Sequence, residues 1–299
     1  LSRLPAGVQL FSMFQANLHL LDLLAEIMGK APRLADHLSN RPAILDSVLT
    51  QDFFDAPPPM FTLTEELQEL LARTEYFEQK LDISRRWNPD RRFQVGVQCL
   101  RGTLLPGDAG LAFSNIAEAA MAALFPAIEE EFAAKHGRVP GGDAEHGSLA
   151  VLAMGKLGSR EITASSDLDL IFVYTTPGDE PANTIMSDGD HPLDAVRYYN
   201  RLSQRLINGL TAPTSEGSLY DVDMRLRPSG SKGPIATSLE GFEQYHAESA
   251  WTWEHLALTR ARAILGPPEL RQRLTDTIGG ILTSPRDADA LLKDVADMR

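Results

Sequence analysis

The chain has 299 residues, enough for two domains, and its 43% hydrophobic and 23% charged content is ordinary for a protein that buries a sizeable core. A formal net charge of −13 argues against bulk nucleic-acid binding, which needs a basic footprint. The lone cysteine, Cys99, excludes an internal disulfide framework and fits a reducing cytoplasm, and the sequence reads without a membrane-spanning run or a signal-peptide pattern.

Residues 1 to 138 read as almost wholly helical. Val8, Phe11, Phe14, Leu18, Leu21 and Leu24 follow three- and four-residue spacing, which predicts an amphipathic helix. Pro32 and Pro42 suit the first turns of two further helices. Ala56-Pro57-Pro58-Pro59 is a stiff break. Beyond it Thr62 and Glu65, at capping-box spacing, predict a helix running toward Arg86 and ending before Asn88-Pro89. Asp108 or Ser114 opens the last long helix, through Ile116, Ala120, Leu124 and Ile128 to Lys135, with a kink at Pro126. This region carries no catalytic constellation and reads as a packing or docking bundle. The run 137–144, GRVPGGDA, is a hinge by composition.

The second region, 139–299, has strand signals at 148–154, 168–174 and 218–227. The loop from Thr175 to Asp190 is rich in Pro, Gly, Asp and Asn. A helix follows from Pro192, with Val196, Tyr199, Leu202, Leu206 and Leu210 on its buried face. Ser238 opens another, with Thr237 and Glu240 also at capping-box spacing. Trp251, Trp253 and Leu256 fall in a helix expected to reach Ile264, and Pro267-Pro268 and Ser284-Pro285 each begin one more. Trp251, Trp253, Glu254 and His255 read as core and cap residues, and Arg260 and Arg262 as cations at a helix end. The last residues stop inside a helical pattern, so the chain reads as a piece of something longer.

The chemistry is concentrated in Leu149–Tyr174. Gly155-Lys156-Leu157-Gly158-Ser159 follows an apolar strand, where glycines let the backbone approach a ligand and N–H groups can hold phosphate oxygens. It is neither a Walker A motif nor G-x-G-x-x-G. Asp167 and Asp169 open the next strand at i and i+2, so both carboxylates leave one face about 6.6 Å apart. Buried acids held that way repel unless a cation sits between them, and hard oxygen ligands suit Mg²⁺. The run from Asp221 to Arg227 alternates, with Asp221, Asp223, Arg225 and Arg227 on one face and Val222, Met224 and Leu226 on the other. It supplies a third acid, and its arginines can meet phosphates or the neighbouring acids. Ser231 and Lys232 read as a flexible surface loop. No Ser-His-Asp or Cys-His arrangement is supported, and the histidines lack metal-ligand spacing.

Gly158-Ser159, Asp167-Leu168-Asp169 and a later Asp223 resemble the nucleotidyltransferase superfamily of DNA polymerase beta. More closely, MGKLGSREITASSDLDLIFVY (154–174), YDVDMRLRPSG (220–230) and AWTWEHLALTRAR (250–262) resemble the glutamine synthetase adenylyltransferase/adenylyl-removing family. The resemblance implies an α+β chain: a helical N-terminal bundle (1–138), then a polymerase beta-like nucleotidyltransferase domain with a small mixed sheet and flanking helices (139–299). Arg227-Pro228-Ser229-Gly230 and the Ala250–His255 segment are similar to the adenylylating copy, the removing copy usually having Phe where Ser229 stands and a different sequence around Trp253. Ser159 departs from the second glycine common in the family, a change the superfamily pattern allows. The implied activity is transfer of AMP from ATP to a tyrosine of glutamine synthetase with release of pyrophosphate. Asp167, Asp169 and Asp223 would be catalytic and hold Mg²⁺, expected as two ions, with Asp223 also as base. Gly158, Ser159, Lys156, Arg225 and Arg227 would bind the nucleotide. A PII signalling protein would act on the longer enzyme, in the cytoplasm, without nucleic acid or membrane. The rival readings are phosphorolytic removal of AMP to give ADP, a non-catalytic nucleotide-binding module, and RNA nucleotidyl transfer, which the acidic balance disfavours.

Overall fold

A computed structural model describes residues 18–140, 148–178, 180–286 and 288–297. The helical pattern expected from Val8 to Phe14, and the hinge residues 141–147, lie outside them. Helix α1 (Leu18–Lys30) packs on α2 (Pro32–Asn40), which has Pro32 in its first turn. Helix α3 (Ile44–Val48) starts two residues after Pro42, and with a 3₁₀ turn (Gln51–Phe54) it closes a small core over Phe93 and Val97.

In the helical part three helices differ in their bounds from the sequence reading. Helix α4 (Met60–Leu71) begins beside the extended Pro59 with no side-chain cap, so Thr62 and Glu65 form no capping box. The three prolines already fix the entry of the chain. Helix α5 (Phe77–Leu100) is separate from α4 and runs through Asn88-Pro89 instead of stopping there. Burial outweighs the lost proline N–H: Trp87, Asn88 and Phe93 are buried, and Asn88 Nδ2 donates to Tyr220 Oη at 2.8 Å. Helix α6 (Pro106–His136) begins at Pro106 and carries Pro126 inside it. By length and hydropathy alone α6 is apolar enough to cross a membrane, contrary to the sequence reading, but 72% of that window is buried within the fold. Its alanines 112, 117, 119, 120 and 123 are core residues.

Strand β1 (Ser148–Ala153) is buried at all six positions. A single helical turn, α7 (Gly155–Gly158), leads toward β2 (Leu168–Thr175), which pairs antiparallel with β1 from Ser148↔Thr175 to Ala153↔Leu170. Helix α8 (Ala195–Thr211) starts on Asp194, which caps the Arg197 N–H, and buries Tyr199, Leu202, Leu206 and Leu210. The expected strand over 218–227 shrinks to β3 (Val222–Asp223). Pro228 and Ser229, the latter in the left-handed region at φ 61°, turn the chain into a 3₁₀ turn (Gly230–Lys232). Strand β4 (Ala236–Ser238) precedes α9 (Leu239–Glu248), whose first turn Ser238 caps through Gly241 N–H.

The helix expected to reach Ile264 ends early. Helix α10 is Thr252–Leu258, and Arg262–Leu265 forms β5, antiparallel to β1. Trp251 and Trp253 are exposed at 71% and 42%, so they are not core, whereas buried Glu254 does cap, accepting the Trp251 N–H at 2.8 Å. Helices α11 (Pro268–Thr283) and α12 (Ala288–Asp297) follow. The mixed sheet runs β3-β2-β1-β5, with β4 also on β2, parallel at Phe172↔Ala236. The chain is thus a mixed helix-and-sheet, α+β fold. One hydrophobic cluster joins Leu63, Trp87, Ile116 and Leu124 of the helical part to Val151 and Phe172 of the sheet and Leu206 of α8.

Candidate active site

The acids meet at the N-terminal end of β2. Leu168 and Asp169 pair in parallel with Val222 and Asp223, so Asp169 lies directly opposite Asp223, and Leu168 N–H donates to Asp221 O at 2.9 Å. Within β2 every residue is buried except Asp169, which is half-buried. An otherwise buried strand thus opens at one position only, and that position is an acid. Asp167, just outside the strand, is exposed. Gly155 makes room for the Asp169 carboxylate: it has φ 52°, and a Cβ there would come within 2.4 Å of Asp169 Oδ2.

Burial raises the pKa of Asp169 above the ordinary carboxylate value, and the charges of Asp167 and Asp223 raise it further, with Arg225 and Arg260 opposing. Asp223 moves the other way. Arg225 donates to its carboxylate through Nε (2.7 Å), Nη2 and the backbone N–H (2.8 Å), and holds its pKa down. Arg227 does not turn to the acids, because its guanidinium is engaged by the carbonyls of Met224 (2.8 Å) and Pro234 (3.1 Å). Among the described residues, no three Asp, Glu, His or Cys side chains converge as a ready metal-ligand set. The donor chemistry nonetheless fits a hard divalent cation: Asp169 feels the charges of two other acids, only partly offset by Arg225 and Arg260, and Asp223 already binds a cation, the Arg225 guanidinium.

The turn after β1 offers phosphate less backbone than its sequence suggested. The N–H groups of Gly158 and Ser159 already donate to Met154 O (2.9 Å) and Gly155 O (3.2 Å). Gly158 is required by packing, since a Cβ would fall 1.7 Å from the carbonyl oxygen of Arg260. What the turn presents outward is the Ser159 hydroxyl and the exposed Lys156. Arg260 and Arg262, read from sequence as helix-end cations, both belong here. Arg260 Nη2 donates to Ser159 Oγ (2.7 Å) and Glu161 Oε2 (3.0 Å). Arg262 donates to Gly158 O (3.2 Å) and Leu157 O (3.1 Å), and pairs with Glu118 of α6, which is buried. Two cavities of about 660 and 670 Å³ lie elsewhere, one among α9 to α12 and one among α3, α4 and α5. Asp167, Asp169 and Asp223 line neither.

A family model described as glutamate-ammonia ligase adenylyltransferase matches residues 21–277. The bifunctional glutamine synthetase adenylyltransferase/adenylyl-removing enzyme of Mesorhizobium japonicum is 45% identical over 299 residues, covering 100% of this chain and 29% of its own length. The chain belongs to the glutamate-ammonia ligase adenylyltransferase family. Likewise similar are the enzymes of that name from Brucella melitensis biotype 1 (46% identical, 100% of this chain, 30% of the relative) and Rhodopseudomonas palustris strain TIE-1 (45%, 100% and 29%). The chain therefore spans under a third of the length of these adenylyltransferase-family relatives. The family match runs through Ser159, Asp167, Asp169, Asp223, Arg260 and Arg262, the residues gathered around the start of β2.

Proposed function

We propose that this chain carries the adenylylating site: it transfers AMP from ATP to a tyrosine hydroxyl of glutamine synthetase and releases pyrophosphate. The observation that carries the reading is the register of Asp169 against Asp223, with Asp167 beside them and the Ser159 hydroxyl on the adjoining turn. Such a site needs little covalent chemistry from the protein. Positioning and electrostatics suffice for in-line phosphoryl transfer.

Asp167, Asp169 and Asp223 would hold Mg²⁺, which when bound supplies Lewis-acid polarisation and neutralises triphosphate charge. Asp223 would exchange its Arg225 partner for that cation. Ser159, Gly158 and Lys156 border the phosphates, and the freed Arg225 lies within the same rim. The tyrosine oxygen forms a bond to the α-phosphorus while the α–β phosphoanhydride bond breaks. Its proton goes to a carboxylate of the cluster.

The same proposal takes 1–138 as a helical unit packed on a nucleotidyltransferase unit, 139–299, in a longer cytoplasmic enzyme regulated by a PII signalling protein. The test is to incubate the chain with glutamine synthetase and α-labelled ATP. Label on the protein is the expected result. ADP release from already adenylylated glutamine synthetase, without labelling of unmodified protein, would assign the removing reaction instead. Asp167→Asn and Asp169→Asn should each abolish transfer with little change in thermal unfolding, and full activity in both would refute the site.

A further inference from the structure

The loop from Thr259 to Ala261 is locked onto the Gly155–Ser159 turn. The Arg260 carbonyl sits where a Cβ of residue 158 would be, and Arg262, two residues on, clamps the carbonyls of Leu157 and Gly158 and is anchored on Glu118 of α6. On the far side, Gly110 of α6 admits the backbone of Arg160 and Glu161, to which its Cβ would be 3.1 Å. The backbone of residue 260 is therefore fixed relative to the turn, whereas its guanidinium is 44% exposed and, among the described residues, is held by Ser159 Oγ and by Glu161, itself 67% exposed. An ion pair that open to water contributes little to stability. The guanidinium is close enough to the acids for its charge to act on Asp169.

We propose that Arg260 is a substrate-contacting residue that binds the β- and γ-phosphates of the nucleotide, and so also the pyrophosphate leaving group, through its two-pronged N–H fork. This rests on the AMP-transfer reading above. A nucleoside triphosphate approaching a face lined by Asp167, Asp169 and Asp223 needs local cations. Arg227 is committed to backbone carbonyls, and Arg225 starts out paired with Asp223, whereas Arg260 already stands on the Ser159 hydroxyl of the phosphate turn. Arg260 has a rigid base, a loosely held head and a neighbouring hydroxyl at the phosphate turn. A planar guanidinium matches phosphate oxygens bidentately, which an ammonium does not. Glu161 then acts as the placeholder that Arg260 releases when the phosphates arrive.

The experiment measures binding of a non-hydrolysable ATP analogue, pyrophosphate and AMP, each with Mg²⁺, by calorimetry on the 299-residue chain and its variants. Arg260→Ala should weaken the ATP analogue and pyrophosphate by about tenfold and leave AMP unchanged. Arg260→Lys should recover part of that loss. Glu161→Gln should bind the analogue at least as tightly as the parent, because the competing carboxylate is gone. Equal weakening of AMP and ATP analogue, no weakening of either, or a Glu161→Gln variant that copies Arg260→Ala would each overturn the assignment and leave Arg260 a strut. The outcome is separable from failure of the function reading. If the parent fails to bind ATP analogue, or Asp169→Asn keeps full transfer, the AMP-transfer reading falls. If Asp169→Asn abolishes transfer while Arg260→Ala binds normally, only the Arg260 assignment falls.

Discussion

Replacing Arg262 with Met tests whether the helical part holds the phosphate turn in place. Glu118 is 4% exposed and Arg262 27%, and the pair is bidentate across 144 residues of sequence. Removing one partner of a buried ion pair costs about 3–5 kcal/mol, because the survivor is left buried and unpaired. Water reaches the Arg262 side, so the cost falls to the bottom of that range or just below it, about 2–3 kcal/mol. Glu118→Gln should cost less, about 1–2 kcal/mol, since an amide can still accept from the guanidinium. The double variant should be milder than the sum of the two, with a coupling of about 1–2 kcal/mol. Urea unfolding of the four proteins at neutral pH gives these values. Because Arg262 also holds the carbonyls of Leu157 and Gly158, Arg262→Met should weaken nucleotide binding as well. A variant within about 0.5 kcal/mol of the parent, or strictly additive effects, would refute the idea that this pair fastens the turn to α6.

Two further outcomes follow from particular residues. His246 is buried with both ring nitrogens unpaired, and burial together with His255 lowers its pKa from 6.5 to about 4. Between those values the unfolded chain binds the proton that the folded chain refuses, so the stability present above pH 6.5 is lost as pH falls toward 4, by up to about 3 kcal/mol. His246→Leu should lack that component, and parallel urea profiles for the two proteins between pH 7 and 4.5 would contradict it. Gly155→Ala places a methyl 2.4 Å from Asp169 Oδ2 at a φ of 52°, and should cost about 1–2 kcal/mol of stability while removing most AMP transfer. Full transfer by this variant would show that the Asp169 carboxylate is not needed where it lies.

The centre of the candidate site was legible because it breaks a pattern. An apolar strand that admits a single acid, Asp169, cannot hide it, and the third acid comes opposite it through the two-residue β3 pairing, although the alternation expected as far as Arg227 does not persist. The cations were harder to read. WEHLALTRAR has helical spacing up to Leu258, and nothing local says that Arg262–Leu265 will instead pair with β1 more than a hundred residues earlier. The available signal was the Gly266-Pro267 stop after a short apolar run, which fits a strand end as well as a helix end. Local rules also failed at Pro89, where the burial of Trp87, Asn88 and Phe93 carries α5 through a residue that interrupts its hydrogen bonding. At Trp251 and Trp253, residue type alone suggested a core that the fold does not build there.

The third acid is held in register by a ladder only two residues long, whereas β1 and β2 share six pairs. Short pairings at a sheet edge open far more often than the sheet they border. On gradual heating, catalytic competence should therefore disappear in advance of the main cooperative transition, with the sheet still intact. On the AMP-transfer reading the start of β3 would act as a fuse, ending transfer at a temperature set apart from that of global unfolding.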